Sequence, residues 1–254
     1  MKEKIRYIKT KNPVELLISI SVIIFLVSYL LFSFGLFRFS WIALPLDFDN
    51  FTAKPWTIIT YAFFHSRFIA LVFNMILLFY FGSILLDYTS KKVFLILFFT
   101  GVILGGVFFM YSYKFFPKMF VNRGALLGAS AGIMAVLTYI SIKMPHFQMR
   151  IRFLGNIKLM YILIFFIIFN LLQIPLGNPG GYFAHLGGLL TGFIFFIVEK
   201  YAFKRKEKTT HSVNINDENT GKNYKINLIL EKINRSGYES LSDEEKEFLF
   251  RQGR

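Results

Sequence analysis

The stretch GALLGASAGIMAVL, residues 124–137, places one serine, Ser130, among three glycines spaced by four inside an otherwise apolar run. Each glycine costs a helix about 1 kcal/mol relative to alanine. A helix that accepts this cost repeatedly does so for close packing. In lipid, small residues at four-residue spacing let two helix backbones approach. The run is therefore read as a membrane span in which Gly124, Gly128 and Gly132 line one face.

The rest of the chain fits that reading. Of 254 residues, 55% are hydrophobic and 19% aromatic, a balance unsuited to a water-facing surface. A span needs about 20 apolar residues to cross a ~30 Å hydrocarbon core. Six such runs occur, at about 15–37, 67–88, 92–113, 124–142, 158–175 and 181–199. The first follows the basic lead MKEKIRYIKTKNP, is too long for a signal peptide and has no small-residue cleavage pattern after it, so it is read as retained. The expected fold is an all-α polytopic membrane protein. It divides into a cytoplasmic segment at 1–14, a six-span domain at 15–200, a polar linker at 201–222 and a short helical tail at 223–254. In the tail, Ser242-Asp-Glu-Glu245 has the pattern of a capping box.

The net charge of +14 does not point to nucleic acid. Lys2, Lys4, Arg6, Lys9 and Lys11 precede the first span, and Lys91 and Lys92 follow the second. Lys143, Arg150, Arg152 and Lys158 separate the fourth from the fifth. Lys200, Lys204, Arg205, Lys206 and Lys208 follow the sixth. By the positive-inside rule these segments and both termini are cytoplasmic, although Lys114, Lys118 and Arg123 run against the pattern. The expected contacts of the basic clusters are anionic lipid headgroups. There is no cysteine, hence no disulfide and no thiol nucleophile.

A polar side chain at membrane depth is costly and marks a functional hypothesis. The candidates are Asn74, Ser130, Asn170, Gln173 and His185, with His65 just before the second span. The second, fourth and sixth spans all start on the outer side. Asn74, Ser130 and His185 then fall about seven, six and four residues in, roughly 6–10 Å below the outer ends. Ala184, Gly188 and Gly192 repeat the small-residue spacing on the sixth span, so Gly128, Gly132, Gly188 and Gly192 are expected to bring the two helices together. Ser130 needs an adjacent base, and His185 would take its proton and return it to the leaving amine. With no buried carboxylate available, this is a dyad, its ring fixed by packing. The Asn74 amide and the Ser130 N–H are the candidate oxyanion donors. The plainer reading, in which each polar group serves packing alone, stands beside this one. His65 is read as a headgroup-level residue or loop anchor, and Asn170 and Gln173 as packing groups without a partner.

Several ordered motifs between about residues 55 and 200 resemble the rhomboid intramembrane serine proteases. Trp56-Thr-Ile-Ile-Thr-Tyr-Ala-Phe-Phe-His65 is similar to the loop entering the second span. Phe73-Asn74-Met75 followed by Tyr80-Phe81-Gly82 resembles the asparagine helix. Gly128-Ala-Ser130-Ala resembles the nucleophile motif, and Ala184-His185-Leu-Gly-Gly188-Leu-Leu-Thr-Gly192 resembles the histidine helix. The resemblance implies a Ser130–His185 dyad, six spans, and hydrolysis of a peptide bond in or near a transmembrane segment of a substrate. It implies no cofactor and no metal. Its partners are membrane-protein substrates and the bilayer, in a bacterial inner membrane. The chain departs from the family pattern at Thr57, where an arginine is common, and at Ala70, where a second oxyanion histidine is common. It departs again at Ala131, in place of a glycine, and at Met134, in place of an aromatic residue. Ala70 favours the alternative of a rhomboid-like protein that binds membrane clients without turnover, and the retained Ser130 and His185 oppose it. A transporter would call for intramembrane charges or broken, inverted-repeat helices. A metalloprotease or aspartyl protease would call for His-Glu-x-x-His or an intramembrane acidic pair. The sequence has none of these. Nothing in it specifies an oligomeric state.

Overall fold

The computed structural model describes residues 12–120, 124–151, 155–176, 179–210, 225–230, 232–233 and 238–252. The basic lead at 2–11, Arg123, Arg152 and the linker residues 211–224 lie outside the described residues. The chain divides into two compact units, Met1–Glu199 and Lys200–Arg254, so that the last turns of the helix that spans this boundary belong to the second.

In the first unit, helix α1 (Pro13–Ser33) starts where Pro13 fixes the first-turn backbone and the Asn12 side chain accepts from the Val14 N–H. Short helical turns α2 (Phe48–Ala53) and α3 (Thr57–Thr60) lie in the connection to α4 (Phe68–Tyr88). Ser90 caps α5 (Lys91–Phe115) through the Val93 N–H. Then come α6 (Ser130–Lys143), α7 (Leu159–Gln173) and α8 (Gly180–Thr210). Among the described residues, four helices are long and apolar enough to cross a membrane: α1, α4, α5 and the Gly180–Ala202 part of α8. Helices α6 and α7 are shorter apolar helices of 14 and 15 residues. The architecture is a bundle of apolar helices, the all-α membrane fold expected from the sequence. Large apolar side chains such as Ile23, Leu26, Ile69 and Phe73 stand exposed on its helices, the arrangement a lipid solvent favours.

Helix α6 is the centre. Every residue from Ala131 to Ser141 is buried, so the helix has no lipid face and packs all round. It is flanked by α4, α5 and α7, and α8 lies close enough to meet its backbone. A Cβ on Gly188 would overlap the Ala131 carbonyl oxygen, and one on Gly192 would overlap that of Ala135. A Cβ on Gly105 of α5 would lie 2.5 Å from the Ala131 methyl and 2.9 Å from the Ala184 carbonyl oxygen of α8. At the C-terminal end of α6, Glu199 of α8 accepts from Lys143 Nζ at 2.9 Å and from the Tyr139 hydroxyl at 2.7 Å.

The structure corrects the reading of the opening stretch. The fourth helix begins at Ser130, not at 124, so Ser130 heads the helix and does not sit six residues inside it. Gly124 and Gly128 precede the helix, and only Gly132 belongs to it. The expected glycine face on this span does not form, and Gly128 is not a helix-packing residue. Gly128 has φ +115°, a backbone region glycine favours, and its N–H donates to the Tyr61 carbonyl at 2.8 Å. Gly132 is a packing residue against Phe98 of α5, not against α8.

Two further features differ from expectation. The basic loop between α6 and α7 contains an antiparallel hairpin, β1 (Gln148–Ile151) and β2 (Gly155–Lys158), with Gln148 opposite Lys158 and Ile151 opposite Gly155. Helix α8 also continues to Thr210, into the segment read as linker. In the second unit, residues 225–230 are helical and the capping box closes reciprocally. The Ser242 N–H donates to Glu245 Oε2 at 2.8 Å and the Glu245 N–H to Ser242 Oγ at 3.3 Å, opening Asp243–Gln252.

The contact between α6 and α8 yields a first prediction. Gly188→Ala forces a methyl into a backbone oxygen and is expected to destabilise by about 1–3 kcal/mol, the usual range for overpacking. Gly181→Ala, whose Cβ would meet nothing within 4 Å, is expected to be neutral or better. Thermal unfolding of the two variants in one detergent compares them directly.

Candidate active site

Ser130 is the first residue of α6, and no side chain caps that end. The first N–H groups of a helix lack partners within it and carry the positive end of its dipole. The segment that delivers Ser130 is fastened from outside the helix. Leu126 pairs with Leu44 through hydrogen bonds of 3.1 and 2.9 Å, and the Gly128 turn hangs on the Tyr61 carbonyl. Tyr61 is itself held by its hydroxyl, which donates to the Val102 carbonyl of α5 at 2.7 Å.

His185 lies in the second turn of α8. Its Nε2 is 2.7 Å from Ser130 Oγ. Other buried hydroxyls of these helices behave differently. Thr138 and Thr191 donate to carbonyls one turn back, Met134 at 2.8 Å and Gly187 at 2.7 Å, the usual outlet for such groups in a helix. Ser130 heads its helix, and its hydroxyl reaches across to α8.

The imidazole is not held by packing alone. Its Nδ1 is 2.7 Å from Asn170 Oδ1 on α7, and Asn170 Nδ2 donates to the Phe166 carbonyl at 2.6 Å. Asn170 is fully buried, at 0% exposure. Its reading as a packing group without a partner is therefore corrected: its amide joins α7 to the histidine. Gln173 closes α7 three residues on. Tyr182 packs edge-on against the imidazole, with ring centroids 6.1 Å apart and planes at 84°. An aromatic neighbour is thus supplied from α8 itself, where Met134 offers none on α6.

Asn74 is buried on α4 and its amide nitrogen points toward Gly128, 3.5 Å from where a Cβ on that glycine would stand. Ala70, one turn earlier, is exposed. Ser130, His185 and Asn170 are therefore directly linked, and Asn74 borders the turn that precedes Ser130.

The Rhomboid domain family model matches residues 52–201, more than half of the chain. This protein belongs to the rhomboid family. No curated protein matches it. The matched span runs from α2 into α8 and includes Asn74, Ser130, Asn170 and His185, leaving α1 and all but the first two residues of the second unit outside. Family membership and the apolar helices together make this rhomboid an integral membrane protein.

His65 of this rhomboid is packed inside the protein beside the Gly128 turn. It is 2% exposed, neither ring nitrogen makes a hydrogen bond, and its Nε2 lies 3.8 Å from the Cβ position of Gly128. Burial pushes its pKa down to about 4, and the nearby Phe63 carbonyl opposes this only in part. The unfolded ring titrates near 6.5, so between these values the unfolded chain binds more protons and stability rises with pH. Acidification from about pH 6.5 toward 4 is expected to lower the unfolding temperature. His65→Phe is expected to lessen that slope, by up to about 1.4 kcal/mol per pH unit, and to cost little at neutral pH because it removes unpaired buried nitrogens. Unfolding scans of both proteins from pH 4 to 8 measure the difference.

Proposed function

We propose that this rhomboid is an intramembrane serine endopeptidase that hydrolyses peptide bonds in or near transmembrane segments of other membrane proteins. The observation that carries the reading is the 2.7 Å contact between Ser130 Oγ and His185 Nε2, formed between two closely packed helices. In the proposed mechanism His185 Nε2 takes the Ser130 proton as Oγ attacks the scissile carbonyl. The same imidazolium then protonates the leaving amine. Water, deprotonated in turn by His185, hydrolyses the acyl-enzyme and restores the serine.

The developing oxyanion is assigned to the Ser130 N–H and the Asn74 amide. The first is supported by the uncapped start of α6 and the second by the approach of Asn74 to the Gly128 turn. The substrate class is supported by the family and by the lipid-suited surface around the site. We also assign the protein to a bacterial inner membrane with both termini in the cytoplasm, supported by the basic residues after the second, fourth and sixth spans. Neither a cofactor nor a metal enters the mechanism.

The deciding experiment is labelling of purified protein with a fluorophosphonate, paired with cleavage of a generic transmembrane substrate in liposomes. Wild type is expected to label and cleave, and Ser130→Ala and His185→Ala to do neither. Asn74→Ala is expected to lower kcat by about 10²–10³-fold, the cost of one oxyanion donor, with substrate binding little changed. A wild-type protein that binds membrane clients but matches Ser130→Ala in both assays would replace this reading with the non-hydrolytic one.

A further inference from the structure

An imidazole can serve as base toward Ser130 only in one of its two neutral tautomers. Nε2 must be bare to accept the hydroxyl proton, so Nδ1 must carry the hydrogen. In low dielectric an Nδ1–H without an acceptor is costly, and an alternative donor facing Nδ1 would favour the wrong tautomer. The group facing Nδ1 therefore decides whether the serine–histidine contact is productive.

That group is Asn170, and an amide is ambiguous by itself because it carries both an acceptor and a donor. Here the ambiguity is removed. One end of the amide lies 2.6 Å from the Phe166 carbonyl, which can only accept, so that end is the NH2. The other end, 2.7 Å from His185 Nδ1, is then the oxygen. An oxygen there requires a hydrogen on Nδ1, and a hydrogen on Nδ1 leaves Nε2 bare and directed at Ser130 Oγ, 2.7 Å away. The chain Phe166 carbonyl, Asn170, His185, Ser130 has one consistent assignment of hydrogens, and it is the one that general-base chemistry requires. Asn170 is fully buried, so water does not compete for its oxygen.

Resting on the protease reading above, we propose that Asn170 is a positioning residue that turns the dyad into a Ser130–His185–Asn170 relay spanning α6, α8 and α7. It fixes the tautomer and the ring plane of His185. It also keeps its oxygen on Nδ1–H while the ring is an imidazolium, so the positive charge that forms during attack meets a dipole of the right sign. The amide accepts no proton; both transfers occur at Nε2. Cysteine proteases that pair histidine with asparagine use the same division of labour on an unrelated fold.

Two measurements test the assignment. The first needs no variant. The chain has four histidines, so protein with nitrogen-15 in its imidazoles gives few signals by NMR in micelles, and the one missing from His185→Gln identifies His185. The expected result is the Nδ1-protonated tautomer with a strongly deshielded Nδ1–H; an Nε2-protonated ring overturns the proposal. The second compares variants by fluorophosphonate labelling and by substrate kinetics. Asn170→Leu is expected to lower kcat by about 10–100-fold, the usual effect of losing the group that orients a functional histidine, with KM within about threefold. Asn170→Asp, which keeps an acceptor toward Nδ1 while its second oxygen, protonated, can still donate to the Phe166 carbonyl, is expected to recover part of the rate. A folded Asn170→Leu that labels as fast as wild type overturns the proposal. If Asn170→Leu fails to fold, the wild-type tautomer decides. Failure of the protease reading is distinguishable, because there the wild-type protein fails to label whatever its tautomer.

Discussion

The structure depends on how closely the backbones of α6 and α8 approach. Gly188 and Gly192 leave no room for a side chain against the carbonyls of Ala131 and Ala135. A serine hydroxyl is short, and a histidine on a neighbouring helix meets it only when the helix axes are unusually close. Between helices in lipid there is little hydrophobic drive to associate, so packing must supply the attraction. The glycines of α8 allow the contact, and α6, buried all round, gives it a rigid partner. The ion pair of Lys143 with Glu199, joined by Tyr139, ties the same two helices again at the C-terminal end of α6. The Ser130–His185 contact is thus one of two points at which this helix pair is held.

Much of this was legible in the sequence because apolar run length and small-residue spacing are local signals. The positions of α1, α4, α5, α7 and the start of α8 follow from them to within a few residues. The start of α6 was not legible, and the reason is instructive. Gly124, Gly128 and Gly132 have helical spacing, but spacing cannot reveal that Gly128 adopts φ +115° and ends any helix that would pass through it. That backbone is selected by two distant partners, the Tyr61 carbonyl and the Leu44 strand-like pairing, neither of which has a sequence signature. The consequence for the site is favourable: a serine at the head of a helix has free N–H groups beside it, and one six residues inside would not.

The partner of Asn170 was hidden for a different reason. Helix α7 runs opposite to α4, α6 and α8, so residues of the same layer lie near its end and not near its start. Counted back from the C-terminal end of α7, Asn170 is three residues from Gln173, or about 4.5 Å, the same shallow layer as His185 near the start of α8. The signal was present in the sequence and needed only to be counted from the other end. The hairpin between α6 and α7 was hidden by its charges: Arg150 and Lys158 read as a topology signal, while the alternation that pairs Met149 with Ile157 spans only four residues on each side.

The departures from the family pattern become coherent once the neighbours of each are known. Ala131 stands where the family pattern has a glycine, at the tightest point of the bundle, and its methyl lies against Gly105 of α5, where a side chain would find no room. Met134 offers no ring to the histidine, and Tyr182 supplies an edge from the histidine's own helix. In both places the close-packed neighbours fit the residue present. Ala70 is not of this kind, because it is exposed. In the proposed mechanism a lost donor acts on the charge of the transition state and not on packing, so its effect would belong to rate, where the remaining donors would carry a larger share of the oxyanion. The proposed orientation of His185 by Asn170 would work on the opposite partner in the same step, the imidazolium. On that reading the site relies on firm placement of its base where its oxyanion side is sparsely furnished.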